Sequence, residues 1–250
     1  NFDTDRDGKI SRKEADAELA IDLGRLCAEL GPATESLAGI EYFKNLRELI
    51  GAFHPLTSLR LSENTALTKL FCGYNPLTEL DVSRNTKLTE LLCHENQLTA
   101  LDLTHNTALA TVYCPNNRLT ALDLSKNTAL ATLACSRNQL TALDLSQNTA
   151  ITELYCNNNQ LAALDLSRNT ALTELYCNGN RLTTLDLSRN TELTKIYCDD
   201  NPLTELNISN LSKREEIVFG DNPEINVIAN SQTVVSDEVR HYMDGKRKTP

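Results

Sequence analysis

The N-terminal stretch DTDRDGKISRKE places carboxylates where they could bind a cation. Asp3, Asp5 and Asp7 alternate with other residues, and Glu14 follows in the same segment. Four carboxylates that surround one point repel each other unless a cation neutralises them. The segment therefore predicts a cation site, and an acidic turn in front of a helix is the alternative interpretation.

The same segment resembles the EF-hand calcium loop, with Gly8 at the sharp turn and Ile10 behind it. The resemblance implies Ca²⁺ bound by the following ligands: Asp3, Asp5, Asp7, the Lys9 carbonyl, Ser11 and a bidentate Glu14. Because only two residues precede the loop in this sequence, it is most similar to the single calcium loop of dockerin-type modules. We expect calcium to stiffen an N-terminal cap over residues 1–45, in which residues 11–26 are predicted to form a helix.

A second candidate for chemistry is a cysteine that recurs every 21 residues. Its positions are Cys72, Cys93, Cys114, Cys135, Cys156, Cys177 and Cys198. The sequence around it repeats as L-T-x-L-x-C-x-x-N-x-L-T-x-L-D-L-S-x-N-T-x in seven good copies. A weaker copy precedes them from Leu46, and another follows, in which Ile217 and Asn222 keep the period and Phe219 takes the cysteine position. We predict a stacked array of about nine coils over residues 46–230, followed by a cap or linker at 231–250.

The spacing within one repeat, here called a coil, predicts how the array folds. In segments such as ELYCN and ALDLS, apolar and polar residues alternate, which is typical of a strand with one buried face. Each coil thus offers two short strands, and stacking buries their leucines in one core. The cysteine falls on an inward position, where a free thiol packs as a small hydrophobic group. We expect reduced, buried thiols, with metal or redox chemistry as the less favoured alternative.

Two asparagine columns and one aspartate column mark the turns of each coil. The first asparagine column is Asn75, Asn96, Asn117, Asn138, Asn159, Asn180 and Asn201, and the second is Asn64, Asn85, Asn106, Asn127, Asn148, Asn169 and Asn190. The aspartates are Asp81, Asp102, Asp123, Asp144, Asp165 and Asp186. We expect the amides to bond the turn backbone and one another along each column, and the aspartates to accept turn N–H groups. Glycosylation at Asn207 and a cation-binding aspartate stripe are the alternatives.

The outward positions vary more than the interior and could bind a ligand. Beside the cysteines lie the aromatic residues Phe71, Tyr113, Tyr155, Tyr176 and Tyr197, and polar Asn157, Asn178 and Asp199 follow two positions later. Aromatic anchors with a polar rim are typical of protein interfaces. We predict these eight residues as a ligand-binding face, and a mere covering for the sheet is the alternative.

Composition excludes several classes of function. The net charge of −10 disfavours binding to nucleic acid and to anionic membranes, and no apolar run approaches 18 residues. The four histidines do not combine with a nucleophile, and we find no phosphate loop. We therefore predict a protein that is not an enzyme and does not insert into membranes.

The pattern L-x-x-L-x-C-x-x-N-x-L resembles the leucine-rich repeat over residues 36–230. Its 21-residue form is similar to the cysteine-containing subclass found in internalin J and in Bacteroidetes surface proteins. The resemblance implies a mostly β, right-handed solenoid with two short parallel strand stacks and a small helical N-terminal cap. It further implies a bacterial protein, secreted or on the cell surface, that acts as an adhesin or interaction module for a host or neighbouring-cell protein. A carbohydrate-binding module and a structural spacer are the alternatives.

Overall fold

The computed structural model describes residues 11–24, 36–211, 216–218 and 225–229. The chain divides into two compact units, Asn1–Ala129 (unit 1) and Leu130–Pro250 (unit 2). Both units consist of short parallel strands that are repeated once per 21-residue coil. The predicted C-terminal segment 231–250 lies outside the described residues. So do Phe219 and Asn222 of the last weak copy.

The described residues of unit 1 include a short helix, a 3₁₀ turn and a parallel sheet. The helix is α1 (Arg12–Ala17), and the 3₁₀ turn is Ile40–Tyr42. The strands are β1 (Ala20–Asp22), β2 (Glu48–Ile50), β3 (Lys69–Phe71), β4 (Glu90–Leu92) and β5 (Thr111–Tyr113). They pair in that order, and every pairing is parallel and in register.

Unit 2 contains two parallel sheets. The strands are β6 (Thr132–Ala134), β7 (Glu153–Tyr155), β8 (Glu174–Tyr176), β9 (Thr184–Asp186), β10 (Lys195–Tyr197), β11 (Glu205–Asn207), β12 (Glu216–Val218) and β13 (Asn226–Ile228). The first sheet has the order β6-β7-β8-β10-β12, and the second has the order β9-β11-β13.

Alternation of side chains explains why each strand has one buried face. In β7 the central Leu154 is fully buried, whereas Glu153 and Tyr155 point outward and are half-buried. A buried leucine side chain stabilises the fold by about 1.5–3 kcal/mol, and the same burial pattern recurs in β2, β3, β4, β8 and β10. After most strands, a residue with positive φ turns the chain off the sheet. These residues are Phe53, Tyr74, Glu95, Asn116, Arg137, Asn158, Gly179 and Asp200.

The cysteine column lies in the interior, as predicted. All seven thiols are free and buried. Burial raises the pKa of Cys72 and of Cys156 to about 12, because an apolar interior disfavours the thiolate. A thiol that remains protonated is a poor nucleophile and a poor metal ligand, so these residues act as packing groups.

The first asparagine column connects each coil to the one before it. Asn96 Nδ2 donates to the carbonyls of Cys72 (2.9 Å) and Cys93 (3.0 Å). Asn96 Oδ1 accepts the N–H of Leu77 at 3.1 Å. One amide therefore satisfies both donors and acceptors of the turn backbone, as the sequence predicts.

The second asparagine column fulfils only half of that prediction. Asn85 Nδ2 donates to the backbone carbonyls of Leu61 (3.0 Å) and Asn64 (2.9 Å). Within the described part of the chain, the buried Oδ1 atoms of Asn64, Asn85 and Asn106 accept no hydrogen bond. The amide nitrogens of Asn96 and Asn85 thus donate to backbone carbonyls and not to another asparagine side chain, which corrects the expectation that stacked asparagines bond to one another. Each column fastens one turn to the next through its backbone.

Two predictions about secondary structure are wrong in extent. The helix predicted over residues 11–26 ends at Ala17, because Ala20–Asp22 pairs with Glu48–Ile50 as a strand. The second strand stack, predicted for every coil, is present among the described residues only as β9, β11 and β13 in unit 2. Elsewhere the ALDLS segment keeps its leucines buried without forming strand pairs.

Candidate functional site

Three tyrosines form an ordered row on the outward face of unit 2. Tyr155, Tyr176 and Tyr197 end strands β7, β8 and β10 and lie directly opposite one another in register. The ring centroids of Tyr155 and Tyr176 are 4.8 Å apart with an interplanar angle of 25°, and those of Tyr176 and Tyr197 are 4.6 Å apart at 8°. The rings are therefore stacked face to face. We call these three residues the tyrosine row.

Charged residues at the start of the same strands bond Tyr155, the first ring of the tyrosine row. The Tyr155 hydroxyl donates to Glu174 Oε2 at 3.1 Å and lies 3.4 Å from Glu153 Oε2. Lys195 Nζ donates to Glu174 Oε1 at 2.7 Å. These contacts lower the pKa of Glu174, chiefly through the bond from Lys195. Burial, followed by the nearby carboxylates, raises the pKa of the Tyr155 phenol, so the phenol stays protonated and remains a hydrogen-bond donor.

The predicted polar residues border the tyrosine row on its other side. Asn157, Asn178 and Asp199 are all half-buried. Asn157 Oδ1 accepts the hydroxyl of Ser136. The backbone carbonyls of Asn178 and Asp199 accept the N–H groups of Asn158 (2.8 Å) and Gly179 (3.0 Å). The structure therefore brings six of the eight predicted ligand residues together in unit 2.

The other two predicted residues, Phe71 and Tyr113, belong to unit 1. They share one outward column with Ile50 and Leu92, in register along β2 to β5. Ile50, Phe71 and Leu92 are half-buried, and Tyr113 is 40% exposed. The face of unit 1 is thus more apolar than that of unit 2.

Sequence reasoning missed an aromatic band in unit 1, which consists of Phe53, Tyr74, His94 and Tyr113. Phe53 stacks on Tyr74 with the ring centroids 4.2 Å apart. The ring of His94 meets Tyr74 and Tyr113 edge-on, at 4.9 and 5.0 Å. Phe53 is 72% exposed and Tyr74 is 45% exposed. Burial lowers the pKa of His94, so its imidazole is neutral near pH 7.

The backbone under this aromatic band has two unusual features, which are positive φ angles and a glycine in contact with a ring. Phe53 and Tyr74 have φ of 63° and 55°, a conformation that bulky side chains adopt rarely and at a cost. A Cβ atom at Gly73 would lie 2.5 Å from Cε1 of His94. Glycine is therefore required for the His94 ring to lie against the preceding coil. The sequence did contain a signal for the left-handed backbone at Phe53 and Tyr74. Equivalent positions in later coils hold asparagine, aspartate and glycine, which adopt positive φ readily.

The aspartate column serves the turns, as predicted. Each Oδ1 accepts the backbone N–H two residues ahead, as in the bond from Ser83 to Asp81 at 2.9 Å. The same bond is made by Asp102, Asp123, Asp144, Asp165 and Asp186. Hydrogen bonds from Ser83 and Thr104 lower the pKa of Asp81 and of Asp102. Because these carboxylates already cap turns, a structural role accounts for the column.

Two of the six predicted calcium ligands lie in the described part of the chain. Ser11 caps α1, where its Oγ accepts the N–H of Glu14 at 3.3 Å and Glu14 Oε2 accepts the N–H of Ser11 at 2.9 Å. This reciprocal capping box fixes Glu14 at the start of the helix. The other four, Asp3, Asp5, Asp7 and Lys9, lie outside the described residues.

Within the described residues, no group of three or more His, Cys, Asp or Glu side chains is arranged to hold a metal ion. None of the described helices has the length and apolar character needed to cross a membrane.

Comparison with known proteins places the fold. No protein-family model matches the sequence, and no curated protein matches it. Among solved structures, the functional domain of InlJ from Listeria monocytogenes, which includes a cysteine ladder, is similar with a TM-score of 0.63 and 32% identity. The match covers 93% of this chain and 58% of that domain, so the chain spans less than two thirds of its relative.

Two further structures show the fold alone. Internalin C2 from Listeria monocytogenes has a TM-score of 0.61 and 20% identity, over 88% of this chain and 84% of that one. YopM from Yersinia enterocolitica has a TM-score of 0.59 and 20% identity, over 78% of this chain and 46% of that one.

The repeat, the parallel strands and these similarities together define a leucine-rich-repeat solenoid. Within that class the protein is internalin-like, and it shares the buried cysteine column with the InlJ domain. Leucine-rich-repeat folds of this kind commonly mediate protein interactions.

Proposed function

We propose that the protein is a non-catalytic binding module that recognises a protein ligand through the tyrosine row of unit 2. The observation that supports this proposal is the stacking of Tyr155, Tyr176 and Tyr197 on three successive coils of one sheet. A rigid aromatic row loses little conformational entropy when it binds. The residues beside it, Asn157, Asn178 and Asp199, supply the polar rim that interfaces place around such anchors.

The stacking also favours a protein over a sugar as the ligand. A pyranose ring binds aromatic side chains through an open ring face. In the tyrosine row, Tyr176 has both faces covered by its neighbours, and the row presents phenol edges and hydroxyl groups. Edges and hydroxyls suit the mixed apolar and polar contacts of a protein interface.

The test is to compare the parent chain with Tyr155→Ala and Tyr176→Ala on arrays of host-surface proteins and of glycans. We expect a protein ligand whose binding is weakened by about 1–3 kcal/mol by each substitution. The matched control is Ser146→Ala, on the turn that carries the aspartate column, which should bind as the parent does. A protein ligand that binds both tyrosine variants at parental affinity would place the site elsewhere, and capture by glycans alone would favour the carbohydrate-binding alternative.

We further propose that the protein is secreted or displayed on a bacterial surface. The similarity to internalins supports this location. Protease treatment of intact cells that carry the full-length protein checks it, because a surface protein is digested and an internal one is protected.

The N-terminal segment is proposed to bind Ca²⁺ through Asp3, Asp5, Asp7, the Lys9 carbonyl, Ser11 and Glu14. The capping box supports the proposal, since it holds Ser11 and Glu14 together at the start of α1, where the loop pattern requires them. We expect calorimetry to show calcium binding at micromolar to millimolar concentration and the melting temperature to fall on chelation. Asp5→Asn should abolish the binding heat, and Asp165→Asn, at a turn far along the sequence, should not. Parental binding by Asp5→Asn would contradict the proposal.

A further inference from the structure

The chemistry beside the tyrosine row indicates what its partner carries, if the proposed function is correct. The first positions of β7, β8 and β10 hold Glu153, Glu174 and Lys195 in register. Both oxygens of Glu174 are engaged, one by the Tyr155 hydroxyl and the other by Lys195. Among the contacts of the described residues, Glu153 receives only the 3.4 Å approach of the same hydroxyl.

Among the described residues at the first positions of β7, β8 and β10, two carboxylates face one ammonium group. Glu153 and Glu174 are direct neighbours across the sheet, and like charges at such positions are destabilising. One ammonium, that of Lys195, lies beside the pair. On the opposite border of the row, Asp199 adds a further carboxylate. The Tyr155 hydroxyl is uncharged, and its oxygen lies closer to Glu174 Oε2 (3.1 Å) than to Glu153 Oε2 (3.4 Å), so it leaves the charge of Glu153 uncompensated.

We infer that the partner of the tyrosine row presents an arginine or lysine side chain that pairs with Glu153 beside the Tyr155 hydroxyl. The carboxylate of Glu153 supplies the negative charge, and the hydroxyl oxygen can accept a further hydrogen bond. A guanidinium suits this position best, because its planar fork can bond both oxygens of a carboxylate at once. The phenol edges of Tyr176 and Tyr197 then contact the apolar part of the same partner segment. The net charge of −10 attracts a basic partner from a distance.

The experiment titrates the ¹⁵N-labelled full chain with synthetic peptides and follows amide chemical shifts. The probes are the capped undecapeptide GSGRGSGRGSG, its lysine counterpart and its glutamate counterpart. We expect the arginine peptide to shift the amides of Glu153, Tyr155 and Glu174 saturably. The lysine peptide should bind more weakly, and the glutamate peptide should not bind.

Two variants test the pairing directly. Glu153→Gln keeps the shape of the side chain and should weaken binding of the arginine peptide by about two- to fivefold. This is the range expected for an ion pair that solvent can reach. The matched control is Glu90→Gln in unit 1, whose carboxylate is paired with Lys69 at 2.8 Å, and it should leave the dissociation constant unchanged. Added salt should weaken binding of the arginine peptide to the parent chain more than to Glu153→Gln.

The outcomes separate this inference from the proposed function. If a protein ligand is lost on Tyr176→Ala but is insensitive to Glu153→Gln and to salt, the inference is wrong and the proposed function stands. If neither variant affects that ligand, both fail. Arginine-peptide binding that is equal in the parent, in Glu153→Gln and in Tyr176→Ala would be unspecific attraction to an acidic chain, and it would also overturn the inference.

Discussion

The outward rows of the two units occupy equivalent strand positions but carry different chemistry. The last strand position holds Ile50, Phe71, Leu92 and Tyr113 in unit 1, and Ala134, Tyr155, Tyr176 and Tyr197 in unit 2. Rings in unit 1 meet edge-on around His94, whereas rings in unit 2 stack face to face beside a carboxylate and lysine network. The interior columns of leucine, cysteine and asparagine are the same in both. A repeat fold thus keeps its interior constant while its outward positions are free to differ.

The largest expected effect tests the edge-on packing of unit 1. Gly73→Ala should destabilise the protein by about 1–3 kcal/mol, because the added methyl group would overlap the His94 ring. Chemical denaturation followed by far-ultraviolet circular dichroism measures the change. In NMR spectra, the aromatic signals of Tyr74 and Tyr113 should shift, and those of Tyr176 and Tyr197 should not.

A double variant provides the control. In the background His94→Ala the space above Gly73 is vacant, so adding Gly73→Ala should cost far less than it does in the parent chain. An equal cost in both backgrounds would show that the glycine is needed for its backbone and not for the histidine.

A smaller effect should follow from removing one hydroxyl of the tyrosine row. Tyr155→Phe loses the bond to Glu174 and should cost about 0.5–1.5 kcal/mol in the free energy of unfolding. Urea denaturation measures this difference. The matched substitution Tyr176→Phe removes a hydroxyl that has no carboxylate partner among the described residues, so its cost should be close to zero. Equal costs for the two variants would contradict the idea that the network orders the row.

The smallest effect concerns the pH dependence of the same network. The pKa of Glu174 is lowered below its ordinary 4.5 in the folded chain, so the unfolded chain binds its proton more readily. The stabilisation from this group is therefore complete above about pH 4.5, and it is lost as the pH falls through the folded pKa. We expect a contribution below about 1 kcal/mol. Melting temperatures measured between pH 3 and 6 should show a shallower acid-side decline for Glu174→Gln than for the parent, and identical profiles would contradict the assignment.

The sequence predicted the interior because the buried positions recur with strict regularity along the chain. Alternation at two residues and repetition at 21 residues identify Leu154, Cys156 and Asn159 as inward, and all three are buried. The same periods place Tyr155 and Tyr176 outward and in register, so the tyrosine row was also predictable. The identity of a partner stays a prediction, and so does calcium coordination by the six proposed ligands: Asp3, Asp5, Asp7, the Lys9 carbonyl, Ser11 and Glu14.

What the two-residue alternation could not supply depends on tertiary contacts and on backbone geometry. Ile21 lies in a helical pattern, but pairing with Leu49 in β2 determines its conformation. The aromatic band depends on the left-handed backbone at Phe53 and Tyr74, which directs both side chains away from the strand alternation. The position of the His94 ring depends in turn on the missing side chain of Gly73.

The asparagine hydrogen bonds have a consequence for how such a gene can change. Asn96 bonds to Cys72, 24 residues earlier, and to Leu77, 19 residues earlier, and Asn75 makes the corresponding bonds to Gly51 and Leu56. Because neighbouring coils within a unit bond each other through the same atoms, recombination that removes or duplicates 63 nucleotides, or a multiple of 63, restores these asparagine bonds across the new junction. A deletion whose length is not a multiple of 63 nucleotides would break both asparagine columns at the junction. The length of the outward face can therefore evolve by whole repeats, and residues on that face can diversify in the copies while the hydrogen-bonded frame is inherited unchanged.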